Sequence, residues 1–488
     1  MPIGAQASFP GIYFEVADPP LRESLPRMDI AAFVGYAASG PLHVPVPVAD
    51  VQRFRELFGA DLKLAWDEEH NTTGNSCLGM AVDSFFRNGG RRCWVVRVAE
   101  EELAQTAGFE LPGIVRVDDS TLEKCRALAR SPGSWSRDLA VNTVLQVTRL
   151  PLSKADPETA YLSLGAGGWS AQLVADASAL RAGDLLRVKL FEGAMLYLVA
   201  GSVEATSQGV AVAGTTGYLY VDQADGSPPS FDCTLRITPG EDFDADAEDL
   251  PLLFSADNFD ALGISRDWFA RPGSPDDALQ SLELLHFQWL VNDTHKQRWK
   301  LEGLGFCADN SRFWGALPSD ELLFAHSDGK ANEDIDADRL QLIQQADRPR
   351  FPLCAEFADS LSSHDWIYLP LQVPTILDES LRTESDIPAS ANPLYLDGIE
   401  NAGSRAFVDE RLESVGSDLL RQEARQIAYL SEGAAPLKGI HSLVRVEEAT
   451  LVAVPDAIHR RWDNRGARQG VAVGRAVARR HRGRSLAR

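Results

Sequence analysis

Nothing in these 488 residues approaches the 18 or more uninterrupted apolar positions that a membrane-crossing helix requires. The opening stretch MPIGAQASFPGIYFEV has neither a basic start nor a continuous apolar run, so no signal peptide is read there and cytoplasmic synthesis is expected. Cysteine is scarce: Cys77, Cys93, Cys125, Cys233, Cys307 and Cys354 are scattered without a C-x-x-C pair. That pattern suits reduced, buried thiols and excludes a disulfide frame.

Catalytic signatures are missing as well. There is no G-x-x-x-x-G-K-[ST] phosphate loop and no G-x-S-x-G elbow, and the nine histidines form neither H-E-x-x-H nor H-x-H. Gly165-Ala166-Gly167-Gly168 lacks dinucleotide-cradle spacing and reads as a turn. Asp242, Asp244 and Asp246 alternate as in a calcium loop, but Ala247 replaces the required glycine and Leu253 the bidentate glutamate. The expectation is a protein with no catalytic, cofactor or metal residues.

The net charge is −23, yet the last 29 residues hold ten arginines against Asp463 alone, so the preceding body is more acidic still. Such a body repels nucleic acid and anionic membranes, and neither is an expected partner. Only the tail 457–488 could meet a polyanion, and at this arginine density it reads as a solvated, disordered extension.

At about 150 residues per domain the length suggests roughly three units. The apolar run Ile30–Gly35, closed by Ser39-Gly40-Pro41, reads as a strand buried on both faces. Asp50 can cap a short helix through Leu57-Phe58, stopped by Gly59. Leu78, Ala81, Val82, Phe85 and Phe86 then fall on one helix face, with Asn88-Gly89-Gly90 as the stop, before an extended run at Arg92–Val98. Strand, helix, helix, strand is α/β packing. From 103 to 250 short β-prone runs (Leu139–Leu150, Leu185–Phe191, Ala194–Val199, Tyr218–Val221, Cys233–Ile237) point to an inserted β-rich domain, deletable as a unit, with an acidic linker at 241–249. Beyond it, Ser274-Pro275 with Ala278, Leu282, Leu285 and Trp289 predicts a helix over 275–292. A short helix is expected around Leu340–Ile343 and a buried strand at Trp366–Leu369. A long helix is expected along Leu412, Val415, Leu419, Ile427 and Leu430, and a further core strand at Ala449–Val454.

Four strings near the start carry a resemblance: Pro10–Glu15, Ile30–Pro41, Phe54-Arg55-Glu56-Leu57-Phe58-Gly59, and Phe85–Val98. In this order they resemble the N-terminal region of contractile tail sheath proteins, found in myophage tails, type VI secretion, R-type pyocins and extracellular contractile injection systems. Ser131-Pro132-Gly133-Ser134-Trp135-Ser136 is similar to the family's way into its inserted outer domain, and Leu437–His441 with Leu451–Asp456 to its return to the core. The likeness is strong over about the first hundred residues, patchy to 250 and weak from 250 to 436.

The resemblance implies a tail-sheath-like fold: an α/β (α+β) core with an inserted β-rich domain. Its divisions are an extended N-terminal arm at 1–25, a first core part at 26–102, the insert at 103–250, the remaining core at 251–456 and the basic tail at 457–488. It implies a structural subunit with no enzymatic activity, assembled around an inner tube and driving its ejection by contraction. The implied partners are other sheath subunits, the inner tube protein and baseplate or cap proteins. The arm residues Gly11, Ile12, Tyr13, Phe14, Glu15 and Val16 would add a strand to a neighbour's sheet edge. After the Pro455-Asp456 return, the arginine-rich tail stands where the family continues with a C-terminal domain, which keeps open a sheath-terminal cap or baseplate-associated subunit that does not polymerise alone. An accessory glycan-binding protein of the same particle is a further alternative, needing a site in 110–250 or 330–400.

Overall fold

In this computed structural model the described residues are 30–459 without 68–71, 119–120, 152–161, 166–167, 174–179, 190–194, 207–208, 222–229, 237–280, 295–296, 326–336, 349, 357–366, 401–402, 417–418 and 431–435. They form a strand-rich mixed α/β protein. The arm, the acidic linker at 241–249, the Asp242–Asp246 alternation and the basic tail beyond His459 lie outside them.

The chain starts as its pattern predicts. β1 (Ala31–Gly35) is buried at all five positions, and β2 (Val46–Val48) follows. α1 (Val51–Phe58) starts where the Asp50 carboxylate accepts the Arg53 N–H at 2.7 Å, and ends at Gly59, whose φ of 76° is open to glycine at little cost. It buries Phe54, Leu57 and Phe58. A hairpin unforeseen in the sequence, β3 (Lys63–Asp67) with β4 (Thr72–Asn75), precedes α2 (Leu78–Arg87) and β5 (Cys93–Arg97).

The β-rich part begins with β6 (Gly108–Asp118), β7 (Thr121–Ala129) and β8 (Ala140–Pro151). Next come β9 (Leu162–Gly165), β10 (Gly168–Leu173), β11 (Leu185–Lys189), β12 (Met195–Val199), β13 (Ser202–Thr206), β14 (Gly209–Gly214), β15 (Thr216–Val221) and β16 (Ser230–Arg236). β9 and β10 pair antiparallel with Gly165 opposite Gly168.

β17 (Ser281–Asn292) corrects the helix expected over 275–292. It is a strand paired antiparallel with the whole of β8. The spacing of four between Leu285 and Trp289 fits both a helical turn and two strand repeats. The residues that decide are Phe287 and Val291, which complete an alternating face with Leu285 and Trp289, all four fully buried. β18 (Arg298–Leu304), α3 (Asp320–Ala325), α4 (Ala337–Asp347), β19 (Leu353–Ala355), β20 (Ile367–Pro370) and β21 (Thr383–Glu384) complete this part.

One sheet has the order β16-β15-β12-β11-β17-β8-β21 with β18 on β17, and a second has β19-β7-β6-β20. Both mix strands from before and after 250, so the insert does not close at 250. It runs from β6 to β21. Gly108 and Asp386 stand side by side at its two ends: the Gly108 N–H donates to the Asp386 carboxylate at 2.8 Å, and the Asp386 N–H to the Gly108 carbonyl at 3.1 Å. Its core centres on Trp289, which stacks on Phe351 and meets Trp314 edge-on at 5.3 Å.

After the insert come α5 (Pro393–Leu396) and a second correction. In place of one long helix over 412–430 there is a short 3-10 turn at Glu410–Leu412, then α6 (Leu420–Arg425), then a π-helical turn at Gln426–Leu430. Gly416 sits between the two segments, and a helix interior pays for glycine in backbone entropy. Leu419, expected on the apolar side, is exposed, while Leu412, Ala424 and Ala428 form the buried face. β22 (Leu451–Ala453) closes the core sheet in the order β2-β5-β1-β22, with β5, β1 and β22 parallel and β2 antiparallel. Core elements from both ends of the chain pack together, Val34 and Val96 with Leu394, Ile399, Phe407 and Leu443.

Candidate functional site

Gly11, Ile12, Tyr13, Phe14, Glu15 and Val16, the residues expected to bind a neighbour, lie outside the described residues. The surface that could receive such a strand is described. A four-stranded sheet has two edges, and here they differ. β2 is three residues long, buries Val46 and Val48, and carries Pro47, which has no N–H to offer a partner.

β22 is the opposite case. Its inner side pairs with Ala31–Phe33, and among the described residues no strand pairs with its outer side. Leu451 and Val452 are 45% and 49% exposed although they point to opposite faces, and Ile458 just beyond is 74% exposed. An apolar strand with bare faces and an open ladder can accept a further strand.

Side-chain contacts tie the approach to this edge to β5. Trp94 Nε1 on β5 donates to Glu448 Oε1 at 2.7 Å, Arg92 Nη2 lies 2.9 Å from the same carboxylate, and the Arg92 guanidinium sits 5.3 Å over the Trp94 ring. The Thr450 N–H donates to the Ile30 carbonyl at 3.3 Å. Ile30 also lines a groove of about 750 Å³, with Phe33, Ala81, Phe85, Arg91 and Arg92, between α2 and the start of β1. The chain just before β22 is thus bonded to a residue of this groove, whose lining combines apolar side chains with Arg91 and Arg92.

At the other end of β22 the Pro455-Asp456 pair does a different job. Asp456 is buried and its carboxylate accepts the Tyr36 N–H at 2.9 Å and the Cys77 N–H at 2.5 Å, tying the ends of β1 and β22 to the start of α2. A Cβ at Gly35 would collide with Asp456 Oδ2, so this close approach requires glycine. Burial, with the Asp456 charge beside it, pushes the Tyr36 phenol above its usual range. His459 Nε2 lies 3.1 Å from Asp456 Oδ1 and 3.7 Å from Cys77 Sγ. Sequence reasoning gave Asp456 only as the end of a strand and assigned nothing to His459, because 379 residues separate Cys77 from Asp456.

The junction of core and insert is built on charge. Arg97 on β5, buried, donates to the Gly40 carbonyl at 2.9 Å and the Pro132 carbonyl at 2.7 Å, and its burial lowers its pKa to about 10. Ser131 Oγ accepts the Gly40 N–H at 2.9 Å, and Ser134 donates through N–H and hydroxyl to Asp397. The Ser131–Ser136 string thus lies where insert and core meet. Cys93, Cys125, Cys307 and Cys354 are buried and Cys77 partly so, and burial alone pushes the Cys93 thiol up to about 12. The exposed aliphatic residues Ile376, Leu377 and Leu381 mark a second apolar patch, on the loop between β20 and β21. No family model and no curated protein matches this chain.

Proposed function

We propose that this chain is a structural subunit of a contractile injection system, of the tail-sheath kind, and that it works by strand exchange between copies and with partner subunits. The observation that carries the reading is the open, apolar outer edge of β22, together with the groove that Ile30 lines. Supporting it, three of the strings that carry the sheath resemblance, around Ile30–Gly35, Arg92–Val98 and Leu451–Asp456, form adjacent, mutually parallel strands of one sheet. The arm has the matching chemistry. As a strand it would set Ile12, Phe14 and Val16 on one face, apolar to match the groove, and Glu15 on the other. Main-chain pairing supplies affinity in this mode and the alternating pockets supply register.

The test replaces Ile12 and Phe14 with proline, each of which deletes a ladder donor. The expected outcome, by negative-stain microscopy, is a folded variant that no longer co-assembles with tube and sheath partners. Wild-type assembly by that variant would overturn the strand-exchange reading. Labelled wild-type chain along the whole length of the particle identifies a sheath subunit, and label confined to one end identifies the cap or baseplate-associated subunit.

A further inference from the structure

Cys77, Asp456 and His459 meet at the corner where β1, β22 and the start of α2 converge, and their donor atoms all lie within 4.8 Å of one another. His459 Nε2 lies 3.7 Å from Cys77 Sγ and 3.1 Å from Asp456 Oδ1. With zinc bonds of about 2.3 Å to sulfur and about 2.0–2.2 Å to nitrogen and oxygen, a tetrahedral ion spaces its ligands roughly 3.3–3.6 Å apart. The two edges at His459 already stand near those separations, and the third lies within 4.8 Å.

We propose that this corner is a binding site for a divalent cation of the zinc class, held by Cys77 Sγ, Asp456 Oδ1 and His459 Nε2 with a fourth position open to solvent. Three features favour it. Thiolate, imidazole and carboxylate together are a donor set that zinc accepts. The thiol stands at the N-terminus of α2, whose dipole stabilises the thiolate that binding requires, and the thiol proton leaves to solvent as the metal–sulfur bond forms. Asp456 is already oriented, because the Tyr36 and Cys77 N–H groups fix its carboxylate, and the side of Oδ1 that now meets His459 Nε2 is the one an ion would take. An ion can reach the corner, since Cys77 is partly exposed and the His459 side chain is 21% exposed.

Burial, then the neighbouring Asp456 and Asp61 charges, raise the Cys77 thiol above its usual pKa. The same negative charges attract a cation, and a bound cation reverses their effect on the thiol. The consequence is mechanical: the ion fastens β22, an edge strand of the core sheet, to α2 from the far side of the sequence.

The experiment uses the full chain, stripped with a chelator and titrated with Co²⁺ as a spectroscopic stand-in for Zn²⁺. The expected result is a thiolate-to-cobalt charge-transfer band with the visible bands of a tetrahedral site, both abolished by added Zn²⁺. Cys77→Ser should remove the charge-transfer band. His459→Ala, at the partly exposed end of the chain's described part, should leave the far-UV circular dichroism unchanged. It should weaken Co²⁺ binding by at least the roughly 10–100-fold that loss of an outer-shell partner costs. Zn²⁺ should raise the melting temperature of wild type and not of His459→Ala. Absence of the charge-transfer band in wild type, its survival in Cys77→Ser, or equal Co²⁺ affinity in His459→Ala each overturns the assignment. Should Cys77→Ser fail to fold, the His459→Ala titration decides alone.

Discussion

His43 is one residue whose surroundings translate into a measurable pH dependence. It is buried with φ at 60°, its Nε2 donates to the Ala99 carbonyl at 2.9 Å, and its Nδ1 accepts the Gly439 N–H at 3.1 Å. That arrangement requires the neutral ring, and burial lowers the pKa to about 4. Because the folded pKa lies below the unfolded one of about 6.5, the unfolded chain binds the extra proton between the two values. The stability His43 contributes is full above about pH 6.5, falls as the pH drops, and is gone below about 4, a loss of up to about 3 kcal/mol. His441, whose Nδ1 accepts the Asp409 N–H and whose pKa burial also lowers, acts in the same direction. In urea titrations across this window His43→Gln should show a shallower dependence on pH than wild type, and parallel curves would refute the role given to His43. Asp320 is a second such residue. Fully buried, it pairs with Arg130 at 3.2 Å and with Arg350. Asp320→Ala strands two buried guanidinium groups and should cost about 3–5 kcal/mol in the same assay. A loss under about 1 kcal/mol, the range of surface pairs, would show that the cluster is solvated.

Individual elements were legible to different degrees, for identifiable reasons. α1 and α2 could be read because every determinant is local: the Asp50 cap, the spacing of Phe54, Leu57 and Phe58, the left-handed stops at Gly59 and Gly89. β8, β11, β12, β15 and β16 were visible as β-prone runs between turn residues. β17 was misread because its apolar positions satisfy two periods and the partner that selects one of them, β8, is more than a hundred residues away. β6 and β7 fall inside the β-rich stretch but do not stand out as individual runs. Their runs carry Glu110, Arg116, Glu123, Lys124 and Arg126, and only cross-strand pairing places these charges opposite one another, as with the ion-paired Arg116 and Glu123. The expected 412–430 helix failed for the complementary reason, a plausible apolar spacing interrupted at Gly416. Of the proposed receiving edge, the strand itself was foreseen, but its position at the outside of the sheet was not.

For the whole molecule, the paired termini of the β-rich part define what can be removed. Since Gly108 and Asp386 are hydrogen-bonded to each other, deleting 109–385 and joining them through a short Gly/Ser linker should leave a core that unfolds cooperatively in urea. Deleting 103–250, the unit suggested by composition, removes β8 and leaves all of β17 without that ladder, so cooperativity should be lost. The opposite pair of outcomes would mean that 250 is the true boundary. The sequence by itself determined the α/β start, the β-rich character after 103 and the distribution of charge, because each is written in neighbouring residues. Only the tertiary structure decided that the insert ends near 384, that β22 lies at an edge beside β1, and that Cys77 meets Asp456 and His459. Those facts depend on contacts across 100 to 400 residues, where sequence spacing carries no distance information and chain closure is governed by packing.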